Sequence, residues 1–142
     1  VAQLAFGIFG AWAGHLMFDL PILQFSTKAR TGLGQWTPEF VATFGLVLTI
    51  LGTARYKPQA VAASVGLYIT AAYWFTSLTS FANPAITVVR GLSNTFAGIA
   101  PHDVPMFVVA QFAGAIAATA IASTLFGEPF GPSAISPYAP ES

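Results

Sequence analysis

Ser80-Phe81-Ala82-Asn83-Pro84-Ala85-Ile86-Thr87-Val88-Val89-Arg90 is a polar break between two long apolar stretches, and its reading decides the fold. Asn83 is a good N-cap, and Pro84 suits the first helical position, where a missing N–H costs nothing. The stretch predicts a half-helix over about 83–96. Roughly twelve helical residues span about 18 Å, only about half of a hydrocarbon core of roughly 30 Å. A helix that starts at mid-membrane leaves free N–H groups and a positive dipole end there. Non-helical backbone at that depth survives only where protein buries it or it lines a wet cavity. Such breaks mark the substrate sites of transport proteins. In a soluble protein the same letters would form an Asn-Pro turn in a surface loop, and the flanking sequence argues against that.

The 142 residues are 55% hydrophobic and only 7% charged, against about 25% charged for ordinary soluble domains. Net charge is zero and there is no basic run, so nucleic acid is not an expected partner. The absence of Cys excludes disulfides, thiolate metal sites and cysteine catalysis. No motif for an enzyme, a cofactor or a metal is present. An apolar helix is already under way at Val1 with no charged leader, unlike a signal peptide, and the expectation is a chain missing its true N-terminus.

Four apolar runs predict membrane spans at about 1–20, 38–54, 59–79 and 104–126. In the first, Gly7, Gly10, Ala11 and Gly14 allow close helix packing, and His15 is the one ionisable group before Asp19. Thr37-Pro38-Glu39 reads as N-cap, proline at N1 and a first-turn acid opening the second. Ala60 to Leu78 is uncharged and gives the clearest span. Asp103-Val104-Pro105 is another helix start, and Ala110, Gly114, Ala118 and Ala122 form a small-residue stripe after it. Residues 127–142, rich in Pro, are expected to be a mobile or extended tail. Four such runs in so short a chain leave almost no polar surface for water, so an all-α membrane protein in the lipid bilayer is expected. Lys28 and Arg30 in one loop are balanced by Arg55 and Lys57 in another, so charge does not decide orientation.

Aligning residue 1 with residue 109 pairs Val1-Ala2-Gln3-Leu4-Ala5 with Val109-Ala110-Gln111-Phe112-Ala113, Ile8 with Ile116 and Phe18 with Phe126. If the first and last spans are equivalent, two spans and a half-helix lie between them and should also precede residue 1. An odd number of spans between equivalent helices makes the repeats inverted.

With the Asn83-Pro84-Ala85 motif, Gln3 and Gln111 in matched helices, and Glu39-Phe40-Val41-Ala42-Thr43-Phe44 opening a span, residues 1 to about 126 resemble the second half of an aquaporin (major intrinsic protein) channel plus the third helix of its first half. The resemblance implies six helices and two half-helices around one pore per subunit, assembled as a homotetramer in a cell membrane, here a bacterial inner membrane. It makes Asn83 the second of two Asn that donate to a passing solute, the first lying in the missing half. The alternative for Asn83 is a cap that serves only its own helix. Most members carry Arg directly after the motif, where Ile86 stands here. The other filter positions fall on Ser80 and Ala71. A wide, weakly polar constriction of that kind is similar to the bacterial branch associated with arsenic resistance. It implies a passive channel for small neutral solutes, namely glycerol-like polyols, undissociated arsenous acid and water. The competing expectations are a strict water channel and a non-conducting half-length membrane subunit.

Arg90, one turn beyond Ile86, either supplies a positive group at the pore mouth or snorkels to the interface. Glu39 is expected to support the loop by accepting backbone N–H groups between about 79 and 82, which lipid cannot satisfy, or else to serve its own helix dipole at the interface. His15 reads as a packing or interfacial group rather than a proton relay. His102 and Asp103 are expected to point apart, and Tyr73, Trp74 and Phe75 to face lipid or packing partners.

Overall fold

Glycines on a long apolar helix let a second helix come within backbone contact, and that approach organises the chain. The computed structural model describes residues 1–76 and 79–127. Its helices are α1 (Ala2–Met17), α2 (Leu33–Tyr56), α3 (Val61–Phe75), α4 (Pro84–Arg90) and α5 (Val104–Phe126), with 3-10 turns at Pro58–Ala60 and Pro101–Asp103 and no strand among the described residues. α2 packs most extensively against α5. Gly114, Ala118 and Ala122 of α5 are buried, and a Cβ on Gly114 would stand 2.5 Å from the Phe40 carbonyl. α3 covers another side of α2, where the Tyr68 ring lies on Gly45 and its hydroxyl donates to the Val41 carbonyl at 3.4 Å. α1 meets α4 with Gly7 against Val89.

The helix ends differ from the expected ones for reasons visible in the backbone. α2 opens at Leu33 rather than Pro38, because Gly32 (φ 104°) turns the chain and its carbonyl takes the N–H groups of Gln35 (2.9 Å) and Trp36 (3.1 Å). Pro38 therefore lies inside the helix. α1 stops at Met17, with Leu20 N–H closing onto the His15 carbonyl at 2.8 Å. α3 stops at Phe75 rather than 79, where Thr76 turns extended (ψ 154°) and its hydroxyl donates to the Ala72 carbonyl at 2.8 Å. The helix at Pro84 ends at Arg90 instead of continuing to 94–96. There the Arg90 carbonyl accepts Ile99 N–H (3.3 Å) and the Gly91 carbonyl accepts Ser26 N–H (2.9 Å), so partners from outside the helix replace the next helical amides. The expected tail falls almost wholly on 128–142, outside the described residues, as do positions 77 and 78 of the third run.

Among the described residues two stretches, Leu33–Tyr56 and Pro101–Phe126, are long and apolar enough to cross a membrane. α1 and α3, with 16 and 15 residues, are shorter than the ~20 that a perpendicular span needs. The loop between α1 and α2 folds over the segment between α4 and α5. Ala100 N–H donates to the Lys28 carbonyl (2.8 Å), and Thr27 N–H to Asn94 Oδ1 (3.1 Å). Phe81, Ile99 and Phe107 form a buried cluster beneath this contact, flanked by Trp36 and Val104.

Candidate functional site

The backbone before α4 is contorted, with Ser80 and Ala82 both in the left-handed region at φ 46°. Each non-glycine residue held there costs about 1–2 kcal/mol. Glu39, fully buried on α2, offsets that cost: Oε1 accepts Phe81 N–H at 2.7 Å and Oε2 accepts Ala82 N–H at 3.0 Å. Bonds to a charged group contribute about 1.5–3 kcal/mol each, so the pair outweighs the strain. Both donors lie within the 79–82 stretch that lipid cannot satisfy. Glu39 Oε2 also accepts from Gln111 Nε2 (2.7 Å), which donates again to Thr87 Oγ1 (2.8 Å). Thr87 in turn donates to the Asn83 carbonyl at 2.9 Å. α2, the loop, α4 and α5 are thus joined by one buried polar chain.

Asn83 is the N-cap of α4: its Oδ1 accepts Ala85 N–H (2.8 Å) and Ile86 N–H (3.3 Å), and Pro84 stands at N1. With the oxygen committed to the cap, the amide nitrogen makes no hydrogen bond among the described residues. A cleft of about 340 Å³ opens beside it, bringing Ser80, Asn83, Ile86 and Arg90 together with Val65 and Ile69 of α3. Ser80 is buried, its hydroxyl paired with Thr76 Oγ1 at 2.5 Å. Ala71 does not line this cleft. Val65, Ile69 and Tyr73 form the α3 face that does, and Ala71 lies about 200° around the helix from Ile69, exposed.

Ile86 and Arg90 also line a second cleft of about 420 Å³, between α1 and α4, with Gly7, Gly10 and Gly14 on its other wall. At its rim His15 is buried, Nδ1 3.0 Å from the Ile22 carbonyl and Nε2 3.0 Å from Ser93 Oγ. One tautomer satisfies both, donating to Ile22 and accepting from Ser93. His15 therefore fastens the end of α1 to the segment after α4. Tyr73, Trp74 and Phe75 are all exposed on α3, Trp74 at 87%.

Arg30 and Asp103, which the sequence pattern did not single out as a pair, lock the loop before α2 to the segment before α5. Arg30 Nε donates to the Gly98 carbonyl (2.6 Å) and an Nη to the Phe96 carbonyl (3.1 Å), with the guanidinium over the Phe81 ring. Burial pushes Arg30 below its ordinary value, opposed by the charge of Glu39. Asp103 takes Arg30 N–H at 2.7 Å and the Thr31 hydroxyl at 2.6 Å rather than capping its own helix. Burial raises its carboxyl, and the bonds from Arg30 and Thr31 with the charge of His102 outweigh this and hold it below the ordinary value. His102 and Asp103 do not point apart as expected: Nε2 lies 3.5 Å from Oδ2, because the carboxylate is drawn toward Arg30 and the 3-10 turn leaves the ring beside it. Contacts of this kind join residues about 70 positions apart and leave no local pattern.

The chain is 56% identical over 121 residues to Aquaglyceroporin AqpS of Rhizobium meliloti (strain 1021), a match covering 85% of this chain and 52% of that relative. The chain thus spans about half the length of the curated relative it matches. It matches no family model and no solved structure. With its apolar helices and this relative, the chain belongs to the aquaporin (major intrinsic protein) family of membrane proteins.

Proposed function

We propose that the chain forms the second half of a passive channel for small uncharged solutes, with Asn83, Ser80 and Ile86 along the solute path. The observation that carries this is the cleft that gathers those residues while Asn83 keeps its amide nitrogen free of internal partners. Glu39 holds the loop through Phe81 and Ala82, so the donor is positioned before a solute arrives. Preorganisation of this kind lowers the cost of binding.

The name of the relative supports passage of polyols, and with it a channel rather than an enzyme. Ile86, 37% exposed at the cleft, presents an apolar face where a bidentate Arg would present donors and charge. A weakly polar constriction favours glycerol and neutral arsenous acid alongside water. Ala71 stays with Ser80 and Ile86 as a filter position facing the other half, and Ile69, which lines the cleft, joins them as a wall residue. The repeat between α1 and α5 supports an inverted arrangement whose other half supplies the facing wall, within a homotetramer spanning a bacterial inner membrane several times.

The test is swelling of vesicles bearing the full-length protein or its Ile86→Arg variant in matched amounts. Wild type should pass glycerol well above protein-free vesicles, and the variant should lower glycerol flux severalfold while water flux changes less. Equal glycerol flux in both would place Ile86 away from the narrow point and overturn this path.

A further inference from the structure

Thr87 is fully buried on α4, lines neither cleft beside that helix, and stands where two hydrogen-bond paths meet at Asn83. Its hydroxyl and its own N–H both donate to the Asn83 carbonyl, at 2.9 and 3.0 Å, and so fill the two lone pairs of that oxygen. The Asn83 side-chain oxygen takes Ala85 N–H and Ile86 N–H. Both oxygens of Asn83 are thus engaged within α4, and the side chain offers only amide N–H groups to the cleft. A threonine hydroxyl often closes on the carbonyl four residues back, as Thr70 does on Gly66 and Thr119 on Ala115. Those two are exposed, and no side chain among the described residues donates to either hydroxyl. Thr87 differs in that Gln111 Nε2 donates to its Oγ1 at 2.8 Å, with the other amide hydrogen on Glu39 Oε2 at 2.7 Å. An oxygen that receives from Gln111 keeps its own hydrogen for Asn83, so the direction of that bond is set.

Thr87, Gln111 and Glu39 are buried by this half of the protein alone, so the facing half does not exchange their partners. We infer that Thr87 is a positioning residue of the solute path: clamped by Gln111, its hydroxyl sets the angle at which Asn83 offers its amide beside Ile86. It acts through Asn83 and touches no solute. The angle matters most for a long solute, which meets the Asn83 donor and the apolar Ile86 side together and gains from a donor held in place. A water molecule reorients around a displaced donor at little cost. Thr87 therefore governs the preference for polyols over water. This rests on the channel reading above and names the residue that sets its preference.

Glycerol and water permeability are measured by stopped-flow light scattering on vesicles bearing the full-length protein in matched amounts. Thr87→Val keeps the shape and removes the hydroxyl. It should lower the glycerol-to-water ratio about threefold or more, the scale of one hydrogen bond. Thr87→Ser keeps the hydroxyl and should hold the wild-type ratio. Ala118→Gly, in the buried stripe of α5 away from the polar chain, should lower the thermal midpoint in detergent and leave the ratio alone. Size-exclusion chromatography checks assembly. If Thr87→Val does not assemble, Thr87→Cys takes its place, since its thiol fills the space and bonds weakly, and the same fall in ratio is expected. A wild-type ratio in Thr87→Val or its substitute, a low ratio in Thr87→Ser, or an equally low ratio in Ala118→Gly overturns the role of Thr87 and leaves the channel intact. Wild-type vesicles that pass glycerol no faster than protein-free vesicles overturn the channel reading itself.

Discussion

At the scale of single residues the site depends on one carboxylate. Glu39 is fully buried and accepts from Phe81 N–H, Ala82 N–H and the Gln111 amide. Glu39→Gln keeps the shape but turns an NH₂ toward one of those donors, leaving a buried amide unmatched. The expected loss is about 2–3 kcal/mol, from charge-assisted bonds and an unsatisfied group. Thermal unfolding in detergent should therefore show a clearly lower midpoint for Glu39→Gln, and an unchanged midpoint would mean the carboxylate does not hold the loop. Part of this chemistry was legible beforehand. A lone acid in an apolar helix needs donors, and a non-helical stretch before an Asn-Pro helix start has donors to give. The lining of the cleft by Val65, Ile69 and Tyr73 was not legible beforehand, because the backbone between α3 and Asn83 is irregular, with Ser80 and Ala82 at positive φ.

At the scale of elements, α4 is short because the Arg90 carbonyl and the Gly91 carbonyl just after it are claimed by Ile99, past the next turn, and by Ser26, in the loop after α1. No local propensity encodes that, so the expected end at 94–96 overshot. The helix starts fared unevenly for a related reason. Asn83 caps α4 as its letters indicate, whereas Asp103 leaves its own helix to hold Arg30 and Thr31. The clasp at Asp103 gives a pH dependence with a definite sign. Its carboxyl is held below the ordinary value near 3.8, so its stabilisation is complete above that pH and is lost as pH falls through the lower folded value. Unfolding midpoints measured from pH 6 down to about pH 2 should therefore fall more steeply for wild type than for Asp103→Asn, which has already lost the charge. Parallel curves for the two proteins would show that the carboxylate carries no such linkage.

At the scale of the whole molecule, α2 and α5 form a tight pair through Gly114, while α1 keeps Gly10 and Gly14 in open space and exposes Phe6, Phe9 and Leu16. The contrast matches the proposed repeat, in which α1 awaits the neighbours that α5 already has. Composition was enough to indicate a membrane protein, because so few charges cannot cover a soluble surface. The central claim is that solute passes the α4 face at Ile86, and the chain's lack of cysteine makes a direct test possible. Ile86→Cys and Trp74→Cys, in full-length protein with any other cysteine removed, are labelled in vesicles with a bulky reagent that forms a mixed disulfide with the thiol while glycerol flux is followed. Labelling at 86 should stop glycerol flux and a reductant should restore it, with labelling at the outward Trp74 position leaving flux unchanged. Complete labelling at 86 with undiminished glycerol flux would contradict the account.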